Sequence, residues 1–504
     1  MTSPVPPINE TGVAPPPPGW LRQRIIEGSL WLVALRWALR GLSLVRTVIL
    51  ARLLAPADFG LFGMAMLVIR AIEVPTSLDV DVALVRRADT DRALFDSAWT
   101  LRAVHRLAVM AGLLIGAPLA GWYFNDARVI PAVRIAALSG LLWAFENIGI
   151  VTFRKELAFA KEFALSATTT LATLAVTIAG ALLLHNYWAL IAGFVVERVV
   201  WMAGTYAAHP YRPRPNWTAV RELWEFSQWI PVQNTGRLLR NSVDSFLVGR
   251  FFDAASLGIY SMAGSAAGLA VAEIVGPVSS ALLPSYAKLA KEPERLSRGF
   301  VDSLAMLAML VIASQVGVAA IAPTFFPVVL GPRWIPAVAT AQWLALYTCI
   351  NTLTGSVANV LIVQGRMRRL SGIIYLQLVV YVPILLLAVQ SRDLVMMATA
   401  KLVAAILVAP SLFLALIAVS SVTMRQIATV LWRPVIASGF MAMIVEVVAS
   451  RWVNPSLASL AAQVVGGIAA FTVAVTLLWI AAGRPAGAER TVRDWLRRRI
   501  PPQP

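Results

Sequence analysis

Residues 51–62 read Ala51-Arg52-Leu53-Leu54-Ala55-Pro56-Ala57-Asp58-Phe59-Gly60-Leu61-Phe62, and residues 249–260 read Gly249-Arg250-Phe251-Phe252-Asp253-Ala254-Ala255-Ser256-Leu257-Gly258-Ile259-Tyr260. Both runs go on to Met-Ala, at Met64-Ala65 and Met262-Ala263, with a constant offset of 198 residues. A second pair lies further along. Ala117-Pro118 and Arg128-Val129-Ile130-Pro131-Ala132-Val133 match Ala322-Pro323 and Arg333-Trp334-Ile335-Pro336-Ala337-Val338 at an offset of 205. Two matches at nearly one offset mark an internal repeat. Six hydrophobic spans separate equivalent points, so the chain returns to the same membrane face and the halves run parallel.

The surroundings of these runs are those of a membrane protein. The chain has 504 residues, of which 59% are apolar and only 14% charged, and its mean hydropathy is +0.73. That is too little charge to cover a soluble surface. A membrane span takes about 20 apolar residues, and such stretches recur at 28–51, 59–80, 100–122, 131–152, 163–184, 187–208, 224–250, 256–284, 300–322, 336–363, 370–389, 394–420, 431–450 and 456–482. In lipid the backbone must satisfy its own hydrogen bonds, so these are helices. The alternating ten-residue segments of a β-barrel are not seen. The expected fold is all-α and integral to the membrane, with about fourteen transmembrane helices. Six-helix lobes at 28–208 and 224–420 are joined by a cytoplasmic linker at 209–223, and helices 13 and 14 follow at 421–483. A Pro-rich tail at 1–27 and a basic tail at 484–504 are expected in the cytoplasm. The Pro-rich tail has no apolar core, so no cleavable signal peptide is expected.

Net charge is +17, which in a soluble chain would suggest nucleic acid. Here the positive charge sits in alternate short loops, where it sets orientation. With both termini inside, the inner segments carry 28 basic residues, among them Arg86, Arg87, Arg102, Arg106, Lys288, Arg366 and Arg433. The outer loops carry only Arg52, Arg128, Arg250, Arg333, Arg392 and Arg451. Cys349 is the sole cysteine and the three histidines are scattered, which excludes a disulfide framework and a zinc centre. No cofactor is expected.

The run Ile49-Leu50-Ala51-Arg52-Leu53-Leu54-Ala55-Pro56-Ala57-Asp58-Phe59-Gly60 resembles the signature of Wzx-type polysaccharide flippases, in the multidrug/oligosaccharidyl-lipid/polysaccharide exporter superfamily. Ala83-Leu84-Val85-Arg86, Phe153-Arg154-Lys155, Leu257-Gly258-Ile259-Tyr260-Ser261, Gly331 with Arg333-Trp334, and Gly365-Arg366 agree in order with that family. The resemblance covers roughly residues 25–420. It implies export of an undecaprenyl-diphosphate-linked oligosaccharide across the bacterial inner membrane. The implied partners are that lipid-linked substrate, the membrane lipids, and a polysaccharide polymerase and export machinery. Leu78-Asp79-Val80-Asp81-Val82 departs from the family, which often has Gly-Leu there; the sequence offers no reason for two carboxylates at this point.

A charge at bilayer depth costs at least about 2.5 kcal/mol on insertion scales and marks function by default. The candidates are Arg36, Arg40, Arg46, Arg70, Glu73, Glu146, Glu197, Arg198, Arg237, Arg240, Asp244, Glu273, Lys401 and Glu446. Arg36 and Arg40 are four apart and share a face of helix 1. Arg237, Arg240 and Asp244 share a face of helix 7, the repeat partner of helix 1. Two arginine-bearing faces would line one chamber and replace the hydration of a diphosphate with bidentate hydrogen bonds. Arg36, Arg40, Arg237 and Arg240, with Arg46 and Arg70, are therefore the candidate substrate-binding residues, and Glu273 and Glu197 the candidate coupling-ion sites. The bland alternative has the arginines braced against Glu73, Glu146 or Asp244. Arg52 and Asp58 read as residues that shape and cap the outer loop. Three rival functions remain open. A drug antiporter on the same fold would want an apolar cavity. A membrane glycosyltransferase or polymerase would need large outer loops. An envelope-assembly scaffold would not need cavity arginines.

The alternation of charge carries a direct test. Reporter fusions at Asn125 and Asp253 are expected to read outside the cell and a fusion at Pro213 inside; a cytoplasmic signal at Asn125 overturns the topology.

Overall fold

A computed structural model describes residues 20–78, 84, 92–155, 159–221 and 230–483. Among the described residues there is no strand, and sixteen α-helices account for the architecture. They are α1 (Trp20–Leu53), α2 (Pro56–Thr76), α3 (Arg92–Phe124), α4 (Val129–Ala144), the short α5 (Val151–Lys155), α6 (Phe159–Leu184), α7 (Trp188–Ala208), α8 (Ile230–Phe251), α9 (Ala254–Ala270), α10 (Gly276–Leu289), α11 (Pro293–Phe325), α12 (Ala337–Val363), α13 (Met367–Ala388), α14 (Leu394–Ile417), α15 (Met424–Ser450) and α16 (Leu457–Ala481). A π-helical turn, Val271–Val275, runs α9 on into α10.

Ten segments are long and apolar enough to cross a membrane among the described residues. The remaining four sequence-derived spans correspond to α1, α2, α4 and α8. Of these, α4 is apolar but short. The other three carry charge within their length: Arg36, Arg40 and Arg46 on α1, Arg70 and Glu73 on α2, and Arg237, Arg240 and Asp244 on α8. The protein is thus an all-helical multi-pass membrane protein whose least lipid-like helices are the arginine-bearing ones.

Several boundaries differ from the sequence reading. Helix α1 starts at Trp20, so residues 20–27 belong to it and not to a disordered tail; nothing in Trp20-Leu21-Arg22-Gln23-Arg24-Ile25-Ile26-Glu27 breaks a helix. Helix α3 starts at Arg92, well ahead of the apolar span 100–122. The fourth span is interrupted after Ala144, where Asn147 accepts from the Gly149 amide and opens a 3-10 turn into α5. The first part of the expected seventh span, residues 224–229, lies outside the described residues, as do the Asp79–Asp81 departure, residues 1–19 and the basic tail at 484–504.

Packing repeats with the sequence. α1 packs on α6 as α8 packs on α13; α3 packs on α4 as α11 packs on α12; α6 packs on α7 as α13 packs on α14. Between the halves, α2 packs along α9. The closest approach is set by the repeat glycines. A Cβ on Gly60 would lie 1.6 Å from the Ala254 carbonyl oxygen, and one on Gly258 would lie 1.9 Å from that of Pro56. The two contacts exchange equivalent positions of the two runs. α15 and α16 pack on each other and on α11.

Because backbone meets backbone there, Gly60→Ala forces the halves apart and should cost stability on the scale of an overpacked core, about 1–3 kcal/mol or more. Gly63→Ala, whose Cβ would have 3.7 Å of clearance, is the matched control. Thermal unfolding in detergent should show a lower midpoint for the first and a parental midpoint for the second.

Candidate functional site

Three polar assemblies lie within the helical bundle, and each has to be read against the cost of burying charge.

The first is a clasp at the end where the α1–α2, α3–α4, α8–α9 and α11–α12 connections gather. Arg52, at the end of α1, donates through Nε to the Val329 carbonyl at 3.0 Å and through Nη2 to the Val328 carbonyl at 2.6 Å. Arg250, at the end of α8, donates through Nη1 to the carbonyls of Trp122 (2.8 Å) and Tyr123 and to Asn125 Oδ1 (3.0 Å). Tyr123 and Val328 are equivalent at the offset of 205. Each repeat arginine therefore satisfies the frayed carbonyl end of the other half's third helix, groups the helix itself leaves without partners. Trp334 adds a direct bridge: its indole donates to the Ala51 carbonyl at 2.8 Å and meets Phe59 edge-on, with centroids 5.2 Å apart. Asp58 caps α2 by accepting from the Ala55 amide and also accepts from the Tyr187 amide, both at 2.9 Å. The structural reading of Arg52 and Asp58 holds, and it extends to joining the halves. Gly331, at φ +105°, lets the chain turn after α11 where a side chain would be strained.

The second assembly lies within the first half. Arg106 on α3 pairs with Glu73 on α2 at 3.4 Å, and Arg102 pairs with Glu146 at 3.6 Å and donates to its carbonyl at 2.8 Å. Trp201 donates to Glu146 at 2.6 Å. Two guanidinium groups, of Arg106 and Arg198, lie against the indole of Trp143, 3.5 and 3.8 Å from its centroid. A cavity of about 330 Å³ opens beside this cluster, lined by Trp143, Glu146, Glu162, Glu197, Arg198 and Trp201 among others. Arg102 and Arg106 thus lie within a helix and pair with interior acids, and Arg433 is buried on α15, so none of the three stands in a loop. The sequence count misplaced them because helices α3 and α15 run on past their apolar segments, with those side chains turned inward. The same half also holds the connector after α7. Asp96 Oδ1 accepts from the Tyr211 hydroxyl and from the Arg214 amide (2.8 Å), and Asn147 Nδ2 donates to the His209 (3.2 Å) and Tyr211 (2.8 Å) carbonyls. Burial, and then the bond to Asp96, raise the Tyr211 phenol well above its usual range.

The third assembly carries the candidate arginines. Arg40 on α1 forms an ion pair with Glu273 in the π-helical turn of the other half. π-Turns inside α-helices concentrate at functional positions. Arg240 on α8 lines a small cavity with Tyr347, Asn351, Thr354, Gln377 and Tyr381. Its Nε is buried without a hydrogen-bond partner. Asp244, one turn further along α8, is buried and pairs with Lys401 of α14 while accepting from the Tyr260 hydroxyl at 2.7 Å. Lys401 also lies 4.5 Å over the Tyr347 ring centroid. Among the described residues no ion pair involves Arg46, Arg70, Arg237 or Arg240. Arg237 and Arg70 are exposed on their helices, and Arg46 is half-buried. Arg36 lies on α1 one turn before Arg40. The structure therefore engages the acids that could have braced these arginines with other cations, and it brings together Arg40 with Glu273 but not with Arg240. Glu197 stands apart from them, exposed at the first-half cavity. Tyr260, Tyr347 and Tyr381 escaped the sequence reading because a tyrosine in an apolar helix looks like core.

Comparison with known proteins agrees with this framework. The family described as polysaccharide biosynthesis protein matches residues 49–339. The lipopolysaccharide biosynthesis protein WzxC of Escherichia coli is 20% identical over 354 residues, covering 69% of this chain and 71% of that protein. The succinoglycan biosynthesis transport protein ExoT of Rhizobium meliloti is 23% identical over 324 residues, covering 64% and 66%. In fold, the chain is similar to a solved structure of the lipid II flippase MurJ in an inward closed conformation, with a TM-score of 0.72, 13% identity, and coverage of 90% of this chain and all of that one.

Proposed function

The chain belongs to the polysaccharide biosynthesis protein family, and from that premise we propose that it flips an undecaprenyl-diphosphate-linked oligosaccharide across the bacterial cytoplasmic membrane. By name, one relative is a lipopolysaccharide biosynthesis protein and another a succinoglycan biosynthesis transport protein, which supports transport over bond chemistry. The observation that carries the reading is Arg240: an arginine on a membrane helix, its Nε buried and unpartnered, in a cavity that holds no carboxylate. Such a group is costly unless a ligand anion completes it.

In the proposed mechanism the cations are met in succession as the headgroup passes. Arg240 on one half and Arg40 on the other meet the diphosphate, with Arg36 and Arg237 on the same helices extending the cationic path and Arg46 and Arg70 at its margins. Guanidinium keeps its charge at any physiological pH and offers two parallel donors to phosphate oxygens. Entry of the headgroup draws Arg40 from Glu273, and the freed carboxylate is open to a cation or proton, which would link flipping to an ion gradient. Glu197, in the first-half cavity, is the other acid placed to take part. The lipid tail remains in the bilayer throughout. With the topology given by the basic loops, both termini are cytoplasmic and the Arg52/Arg250 clasp lies at the outer end. The form described is then closed to the outside, and outward opening requires both arginines to release their carbonyls together.

The test is substitution at Arg40 and Arg240. Alanine at Arg240 removes a group whose Nε is buried without a partner, and alanine at Arg40 removes an exposed partner of Glu273; both should leave membrane levels near normal while glycan export falls about tenfold or more, and lysine should rescue only partly, because the bidentate fork is gone. Normal export by both alanine variants refutes the cationic path. Loss of both from the membrane makes the arginines structural.

A further inference from the structure

We propose that Lys401 is a positioning residue for headgroup binding: by holding Asp244 it keeps Arg240 unpaired and open to an anion. This rests on the reading of Arg240 as a headgroup residue.

Arg240 and Asp244 are four residues apart on α8, the spacing at which an arginine and an aspartate ordinarily pair on a helix surface. They do not pair. The Asp244 carboxylate turns to the interior of the second half, where Oδ2 takes both the Lys401 ammonium and the Tyr260 hydroxyl. Lys401 is held there in turn against the face of Tyr347. The result leaves two buried groups of opposite charge each short of a partner within one turn of helix: Asp244 Oδ1 and Arg240 Nε. Leaving such groups unsatisfied costs free energy that a direct pair would recover, so the division needs a reason. The cavity beside Arg240 supplies it. Its other polar lining groups, Asn351, Thr354, Gln377, Tyr347 and Tyr381, are neutral. In the form described that cavity, about 20 Å³, has room for about one water; once it widens, a lysine on α14 that takes the local carboxylate leaves Arg240 as a receptor for an oxyanion with several acceptor oxygens, such as a phosphate or diphosphate.

The claim is testable on the full-length protein in nanodiscs, with undecaprenyl diphosphate as the probe and affinity measured per folded molecule. Lys401→Met releases Asp244 to capture Arg240, and affinity should fall about tenfold or more, as in Arg240→Ala. Lys401→Met with Asp244→Asn removes both charges and frees Arg240 again, so affinity should return to near the parental value. A brace between α8 and α14 predicts otherwise: folded Lys401→Met would bind as the parent does. Should Lys401→Met yield no folded protein, Asn351→Asp supplies the same test, since it places in the Arg240 cavity a carboxylate that Lys401 does not hold, and affinity should fall likewise. Parental affinity in folded Lys401→Met or in Asn351→Asp, or a double variant as weak as the single one, overturns the inference. If Arg240→Ala itself binds as the parent does, the reading of Arg240 fails and this inference fails with it; if only Lys401→Met does, the reading of Arg240 stands alone.

Discussion

Two arginines, Arg52 and Arg250, each end a first helix and each bond the exposed carbonyls that end the third helix of the opposite half. A guanidinium can serve two or three carbonyls at once, and helix ends leave such carbonyls without partners. The exchange is reciprocal, so neither half is fully satisfied alone. Gly60 and Gly258 bring α2 and α9 together beside it, backbone against backbone, and Trp334 crosses to Ala51. The halves also meet away from this end, where Arg40 pairs with Glu273 and Asn234 donates to the Ser77 hydroxyl.

That constraint explains what was legible in the sequence. Fold class followed from apolar run length, because the backbone has no choice in lipid. The repeat was readable because Arg52, Gly60, Arg250 and Gly258 serve contacts that tolerate no substitute of other size or chemistry. Less legible were the places where a helix outlasts its apolar segment. Arg102 and Arg106 looked like loop charges, and only packing could reveal that they turn inward to Glu146 and Glu73. The break after Ala144 depends on Asn147 finding carbonyls at His209 and Tyr211, far away in the chain.

The candidate site was legible in its charges and not in their partnerships. Periodicity put Arg237, Arg240 and Asp244 on related faces of one helix, yet could not say that Asp244 belongs to Lys401, more than 150 positions away. Nor could it join Arg40 to Glu273. These partnerships decide the chemistry. An arginine whose nearby acid is held elsewhere is a receptor for anions; one paired across the halves is a contact that an anion must displace. The first-half network pairs Arg102 with Glu146 and Arg106 with Glu73 and sets the Arg106 and Arg198 guanidinium groups against Trp143.

The most direct measurement is the leaflet in which lipid-linked oligosaccharide resides when the chain is depleted from its native cell. Flipping through the cationic path predicts that the diphosphate-linked oligosaccharide accumulates on the cytoplasmic leaflet, and that the parental gene returns it to the outer leaflet while the combined Arg40→Ala and Arg240→Ala variant does not. Oligosaccharide reaching the outer leaflet at the parental rate in depleted cells would contradict the assignment of flipping to this protein.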